Sequence, residues 1–255
     1  MRRRWWAWLL VALGGLALAA VLGFVIWAET PSGPMPEAVA AMASDDRVTV
    51  DQNDLIVFRP TKATPTTGLV FYPGAHVDPV SYAPAMRALA EQGFLAVVVP
   101  MPLNLAVLDS DRAADVIADF PEIRRWAVGG HSLGGAMAAA FAASSPDAVD
   151  GLALWAAYPS SGDDLSTWRV PVTSVSATND GLATPADIAR AKPLLPVDTE
   201  YVVINGGNHA QFGWYGDQRG DGVATISRAE QQSQTVAATL RLLRSLVTGM
   251  SGHHV

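Results

Sequence analysis

The 255 residues, half of them hydrophobic, are enough for one globular domain with a buried core plus a short appendage, and too few for a second full domain. Seventeen Lys and Arg against 24 Asp and Glu leave a net charge of −7, which argues against a phosphate-tracking surface and so against nucleic acid as a partner. There is no cysteine, which excludes disulfides, thiolate metal sites and cysteine nucleophiles.

The first element is "MRRRWWAWLLVALGGLALAAVLGFVIWAET". Three arginines, Arg2 to Arg4, precede 24 uncharged residues from Trp5 to Ala28, and Glu29 is the first acid. As a helix that run is about 36 Å long, sufficient to cross a bilayer. It exceeds the roughly 7 to 15 apolar residues of a cleaved signal, and tryptophans stand near both ends, where indoles favour the interface. The expectation is an uncleaved signal-anchor over residues 1–30, with the arginines cytoplasmic and the rest of the chain extracytoplasmic. The alternatives are a cleaved signal that releases a secreted protein and a twin-arginine signal. Residues 31–46 hold three prolines and a glycine and read as a linker. Residues 47–248 read as the globular domain and 249–255 as a tail.

Within the domain, short apolar runs alternate with helix-like runs. "RVTVDQ" and "DLIVFRP" predict a hairpin or paired strands; "GLVFYPG", "FLAVVVPM", "RWAVGG", "GLALWAAYP", "VPVTSVSAT" and "EYVVING" predict buried strands. Several are continuously apolar, as parallel strands covered on both faces must be. "SYAPAMRALAEQG", "DRAADVIADFP", "LGGAMAAAFAASSP", "PADIARAKPLL" and "SRAEQQSQTVAATLRLLRSLV" predict helices. The alternation implies an α/β layered fold with a mostly parallel sheet.

Gly130-His131-Ser132-Leu133-Gly134 lies between a predicted strand and a predicted helix. That is the pattern of a nucleophile elbow, in which a serine sits on a strained turn and flanking glycines relieve the crowding. The bare pattern is weak, and a Gly-rich structural turn is the competing reading. Ser132 needs a base. His253 and His254 fall in the tail, whereas His209 follows "EYVVING" at a strand's C-terminal end, where sites in parallel sheets are built. His131, next to the serine, reads as packing or polar support. The imidazole needs an orienting carboxylate, for which Asp180, directly after "VPVTSVSAT", is chosen over Asp163, Asp164 and Asp187, although an Asp-Gly turn would look the same locally.

Ser132, Asp180 and His209, each after a successive predicted strand, resemble the triad order of the α/β-hydrolase superfamily. The likeness runs from about Arg47 to Val247. The segments "FYPGAHVDPVSYAPAMRALAEQGFLAVVVPMP", "GGHSLGGAMAA" and "GGNHAQFGWYGDQRGDG" more narrowly resemble the small bacterial α/β-hydrolase fold-5 family, related in architecture to dienelactone hydrolases. Dienelactone hydrolases use cysteine where this chain has serine. The resemblance implies an α/β-hydrolase fold with helices on both faces of the sheet and a backbone oxyanion hole. One donor is then the Leu133 N–H. The second is matched to Ala75 in the turn after "LVFYPG", with His76 as the register alternative, and His76 could instead contact substrate or sit on the surface.

Only about fifteen residues separate "GLALWAAYP" from "VPVTSVSAT", so a large helical lid is not expected. Trp155, Trp214 and Tyr215, with Tyr158, Trp168 and Phe212, are candidates for an apolar pocket wall or for ordinary packing. "RGD" at Arg219 to Asp221 reads as chance, and "GDQRGDG" lacks EF-hand spacing, so no metal and no cofactor are expected. The function implied is a serine hydrolase acting on a small-molecule ester or acyl substrate, with the membrane as partner through the N-terminal helix. The alternatives are thioesterase, lactonase, peptidase or acyltransferase chemistry on the same triad, or a non-catalytic envelope binding protein on the same fold.

Overall fold

The structure is a computed structural model that describes residues 4–248. Arg2, Arg3, His253 and His254 lie outside the described residues. Eight strands form one sheet in the order β1-β2-β4-β3-β5-β6-β7-β8. They are β1 (Val48–Gln52), β2 (Ile56–Pro60), β3 (Thr67–Tyr72), β4 (Leu95–Val98), β5 (Arg125–His131), β6 (Gly151–Trp155), β7 (Val172–Ala177) and β8 (Glu200–Ile204). The predicted hairpin is β1 against β2. It joins the edge of the sheet antiparallel to β4, and every later pairing is parallel.

Alternation along β3 shows why these strands lack a polar face. Leu69 and Phe71 enter one core with Met86 and Leu89 of α3 (Ala83–Ala90) and Leu242 and Leu243 of α7 (Arg228–Thr248). Val70 and Tyr72 enter the other, with Val116 of α4 (Arg112–Asp119) and Ala138, Ala139 and Phe141 of α5 (Leu133–Ser144). With helices on both faces, each side chain of β3 is buried, as the continuous apolar run requires. The chain leaves β3 toward β4 on one side, and β5 then pairs on β3's other side. That reversal opens a crevice beyond the C-terminal ends of β3 and β5, the place where open α/β sheets bind ligands.

α1 (Arg4–Ala28) is long and apolar enough to cross a membrane and stands clear of the domain over most of its length. Its last turn does not. Ala28 is buried, its carbonyl accepts from Asn104 Nδ2 at 2.9 Å, and the Trp27 ring stacks on His76 at 4.4 Å between centroids. Residues 31–46, which the prolines suggest as a linker, are strapped to the domain. Ser32 bridges Val77, Pro34 bridges Tyr215, Met35 N–H donates to the Trp214 carbonyl, and α2 (Pro36–Ala40) follows. The prolines here fix an extended path that the domain's loops can bond, and Pro36 starts the short helix at a position where its missing N–H costs nothing.

Candidate active site

Ser132 occupies the single-residue turn between β5 and α5 with φ 54° and ψ −124°, a conformation that costs a non-glycine residue about 1–3 kcal/mol. Two contacts fix it. Its N–H donates to the Trp155 carbonyl at 3.0 Å, and its own carbonyl accepts from Ala136 N–H in the first turn of α5. The glycines make room for the turn: a Cβ on Gly134 would collide with the Tyr72 and Pro73 carbonyls, and one on Gly130 would lie 2.5 Å from the Gly134 backbone. Ser132 is half-buried in the wall of an open cavity of about 260 Å³, lined also by Leu133, Ala136, Ala156, Ala157, Tyr158, Leu182 and Ala183. Ala156, with φ 45°, turns the chain out of β6 so that Ala157 and Tyr158 face this space.

Asp180 and His209 meet at the ends of β7 and β8. His209 Nδ1 donates to Asp180 Oδ2 at 2.8 Å, with both side chains almost wholly buried. Asp180 Oδ1 accepts from the Leu182 and Ala183 N–H groups, both at 2.8 Å, so the carboxylate accepts from three donors in all. The proton on Nδ1 leaves Nε2 as the basic nitrogen, and Nε2 is buried without a hydrogen-bond partner among the described residues. The other acids are spent locally: Asp163 on Ser160, Asp164 on Ser166, and Asp187 on Thr184 and Arg190, where it completes the cap of α6 (Pro185–Ala191).

The loop after β8 crosses back over the sheet and brings His209 beside Ser132's neighbour. The His131 and His209 rings are 4.5 Å apart. His131 is fully buried, and its Nδ1 lies 2.9 Å from the Tyr82 hydroxyl, which also accepts from Gly74 N–H at 2.9 Å. Burial pushes the Tyr82 phenol above its ordinary range, so it keeps its proton and donates it to His131. One hydroxyl thus links the turn after β3 to the elbow. In that turn the Gly74, His76 and Val77 N–H groups are taken by Tyr82 Oη, the Asn104 carbonyl and the Gly74 carbonyl respectively. The Ala75 and Leu133 N–H groups have no partner among the described residues.

Burial first, and the adjacent His209 second, hold the His131 imidazole well below its usual pKa of 6.5. Below about pH 6.5 the unfolded chain binds a proton here that the folded chain does not, so stability falls as acid is added, by up to about 1.4 kcal/mol per pH unit. His131→Gln removes this dependence. Urea midpoints measured from about pH 7 down to about pH 5 should fall less steeply in the variant; parallel slopes would show that His131 is not the group responsible.

Five of the six aromatic candidates for the pocket wall lie elsewhere. Trp155 is fully buried on the α7 face of the sheet, where its indole N–H donates to Thr239 Oγ1 at 3.0 Å. The last side chain of β6 points into the core because alternation along the strand sends it there. Tyr215 is buried beneath the His131 ring, and its hydroxyl donates to Gln218. Trp214 lines a separate groove between α3 and α7. Phe212 is likewise core, and Trp168 lies against α5 at another surface, which leaves Tyr158 as the aromatic at the cavity. His76 is tied to the end of α1: its Nε2 lies 2.6 Å from the Trp27 carbonyl.

Asp221, within the "RGD" that reads as chance, joins the two loops that carry Asp180 and His209. Its carboxylate accepts from the Gly181 and His209 N–H groups at 3.1 Å and from Ala210 and Gly222 at 2.8 Å. Asparagine offers one acceptor oxygen in place of two, so Asp221→Asn should lose about 1–3 kcal/mol of stability in urea unfolding; an unchanged midpoint would contradict the clamp. No sequence signal marks such a residue, since its partners are backbone groups. Among the described residues, no group of three or more His, Asp or Glu is placed to hold a metal ion.

Comparison with known proteins agrees with this architecture. A thermophilic esterase from the planctomycete Thermogutta terrifontis superimposes with a TM-score of 0.55 at 16% identity, over 78% of this chain and 92% of that one. The same organism's esterase 2 phosphoramylated by tabun gives 0.55 at 17% identity, over 78% and 94%. A CIB-like hydrolase from Thermoplasma acidophilum gives 0.54 at 18%, over 80% and 100%. A search of curated proteins finds no match. Residues 68–233, from β3 into α7, match the family model described as the alpha/beta hydrolase family, and the chain belongs to that family.

Proposed function

We propose that the chain is a membrane-anchored serine hydrolase that cleaves carboxylic esters through an acyl-enzyme intermediate. Ser132 Oγ attacks the ester carbonyl while His209 Nε2 takes its proton. His209 then returns the proton to the departing alkoxide, and the acyl group remains on Ser132 until water, activated by the same imidazole, releases it. Asp180 holds the tautomer that leaves Nε2 basic and stabilises the imidazolium that forms. The unengaged Leu133 and Ala75 N–H groups receive the oxyanion; His76, whose N–H is spent on Asn104, is the poorer candidate. Every step uses side chains and backbone groups of this chain.

The buried Asp180–His209 pair, with Nε2 unpartnered in the region of the strained Ser132 turn, carries this reading. Serine-to-base hydrogen bonds of this kind tighten on substrate binding, so the unbonded Nε2 fits a resting site. The esterase neighbours, one of them phosphoramylated by tabun, point the same way. An open cavity with short loops suits a small acyl group.

Residues 1–30 serve as the anchor, 31–46 as a strap and 47–248 as the hydrolase domain, which lies on the extracytoplasmic face if Arg2 to Arg4 stay inside. Contacts made by Trp27 and Ala28 support retention of the anchor, because cleavage after them would strip partners from His76 and Asn104. A fluorophosphonate probe tests the assignment: it should label the wild type and not Ser132→Ala. Labelling that persists in the variant overturns the nucleophile, and a panel of ester, thioester and amide donors with product analysis tests the bond cleaved.

A further inference from the structure

The loops that receive the end of α1 are those beside the elbow. The turn after β3, Gly74–Asp78, and the loop after β4, Pro102–Leu108, both lie at the C-terminal end of the parallel sheet, as Ser132 does after β5. Trp27 and Ala28 bond to His76 and Asn104 in these two loops, and Ser32 N–H donates to the His76 carbonyl at 2.9 Å while its own carbonyl accepts from Asp78 N–H at 3.0 Å. Backbone strain accompanies the junction: His76, Leu103 and Asn104 have φ of 57°, 52° and 54°. The attachment is therefore made of backbone pairs at Ser32 and of side-chain bonds from His76 and Asn104 to backbone carbonyls, not of a swinging tether.

Its placement has a geometric result. If α1 crosses a bilayer, Trp27 stands at the interface and Glu29 is the first acid beyond it, so Asn104 sits at headgroup depth. Val107 is three residues further on, within about 11 Å of chain. Val107 and Leu108 are more than half exposed, apolar side chains with no cover, and Asp109 and Asp111 follow to bound the apolar stretch. Leu182, at the rim of the Ser132 cavity, is also exposed, at 37%. Val107 and Leu108 thus lie in the loop that receives the end of the apolar α1, and that loop shares an end of the sheet with the cavity.

We propose that Pro102–Leu108 is a second membrane contact which, with α1, lays the mouth of the Ser132 site against the bilayer, so that the substrate is an amphiphilic carboxylic ester resident in the membrane. The identity of the substrate rests on the serine hydrolase reading; the membrane contact does not.

The chain has no cysteine, so Val107→Cys and, as a control at the opposite end of the sheet, the fully exposed Val197→Cys can each be labelled with a nitrobenzoxadiazole fluorophore. The full-length protein is reconstituted in phosphatidylcholine vesicles with and without doxyl-labelled lipid. Quenching several-fold stronger at 107 than at 197 is expected; equal quenching, or none at 107, overturns the contact. For the substrate, Val107→Asp combined with Leu108→Asp should lower kcat/KM on an ester embedded in the vesicles at least about tenfold and leave a soluble short-chain ester unchanged. An equal effect on both esters, or on neither, overturns the membrane-resident substrate. Loss of the hydrolase reading would appear separately, as wild-type turnover that survives Ser132→Ala, and would leave the quenching result standing.

Discussion

Ser132→Ala is expected to lower kcat on a carboxylic ester by about 10⁶-fold, the scale set by removing the nucleophile from a comparable triad. Alanine keeps the Cβ, the Ser132 N–H bond to Trp155 and the positive φ, so neither the fold nor the cavity should change. The effect is large because the nucleophile itself is removed, and the polar side chains nearest the turn, Tyr82 and His131, are engaged with each other. A variant that keeps the urea midpoint of the wild type and loses turnover places the loss in chemistry. Retention of even one-hundredth of the wild-type rate would move the nucleophile elsewhere.

Asp180→Asn is expected to cost about 10⁴-fold in kcat while leaving the protein folded. The mechanism is the tautomer. Asp180 Oδ1 is held by the Leu182 and Ala183 N–H groups, so an asparagine there would keep its oxygen toward those donors and turn its NH₂ toward His209. Nδ1 would then have to accept, the proton would move to Nε2, and the nitrogen proposed to take the serine proton would no longer be a base. The pair is nearly inaccessible to water, so no solvent molecule can restore the lost bond. Substrate binding is little changed, which separates this loss from a damaged pocket: KM should stay within a few-fold while kcat falls. Full activity in Asp180→Asn would transfer the orienting role to another acid, although Asp163, Asp164 and Asp187 are all committed to local bonds.

The layered architecture was legible because burial on both faces of a parallel sheet writes itself into sequence. "GLVFYPG" and "FLAVVVPM" could be read as strands for the same reason that β3 and β4 are fully buried. The elbow was legible because sterics at Ser132 demand glycine at 130 and 134. Asp180 and His209 could be read as candidates because each lies in the loop that follows a strand, and chain order puts both loops at one end of the sheet.

What escaped had no local signature. Trp155 reads as a pocket aromatic from its position at a strand end, yet strand alternation sends its ring into the core toward Thr239. Asp221 acts through backbone N–H groups, and Tyr82 joins Gly74 N–H to the His131 ring; backbone partners carry no residue type that a sequence can display. The strap over residues 31–46 was hidden for a related reason. Prolines exclude regular helix there but say nothing of whether the extended path is bonded, as it is at Ser32, Pro34 and Met35.

The central claim is that an acyl group passes through Ser132 with His209 as base. It is tested most directly by acid-quenching the wild-type protein during turnover of a slow ester and mapping the trapped acyl group by mass spectrometry of peptides. The mechanism predicts a mass gain equal to the acyl group less one hydrogen on the peptide that contains Ser132, absent from Ser132→Ala. An acyl group found on another residue, or steady turnover in His209→Ala at the wild-type rate, would contradict it.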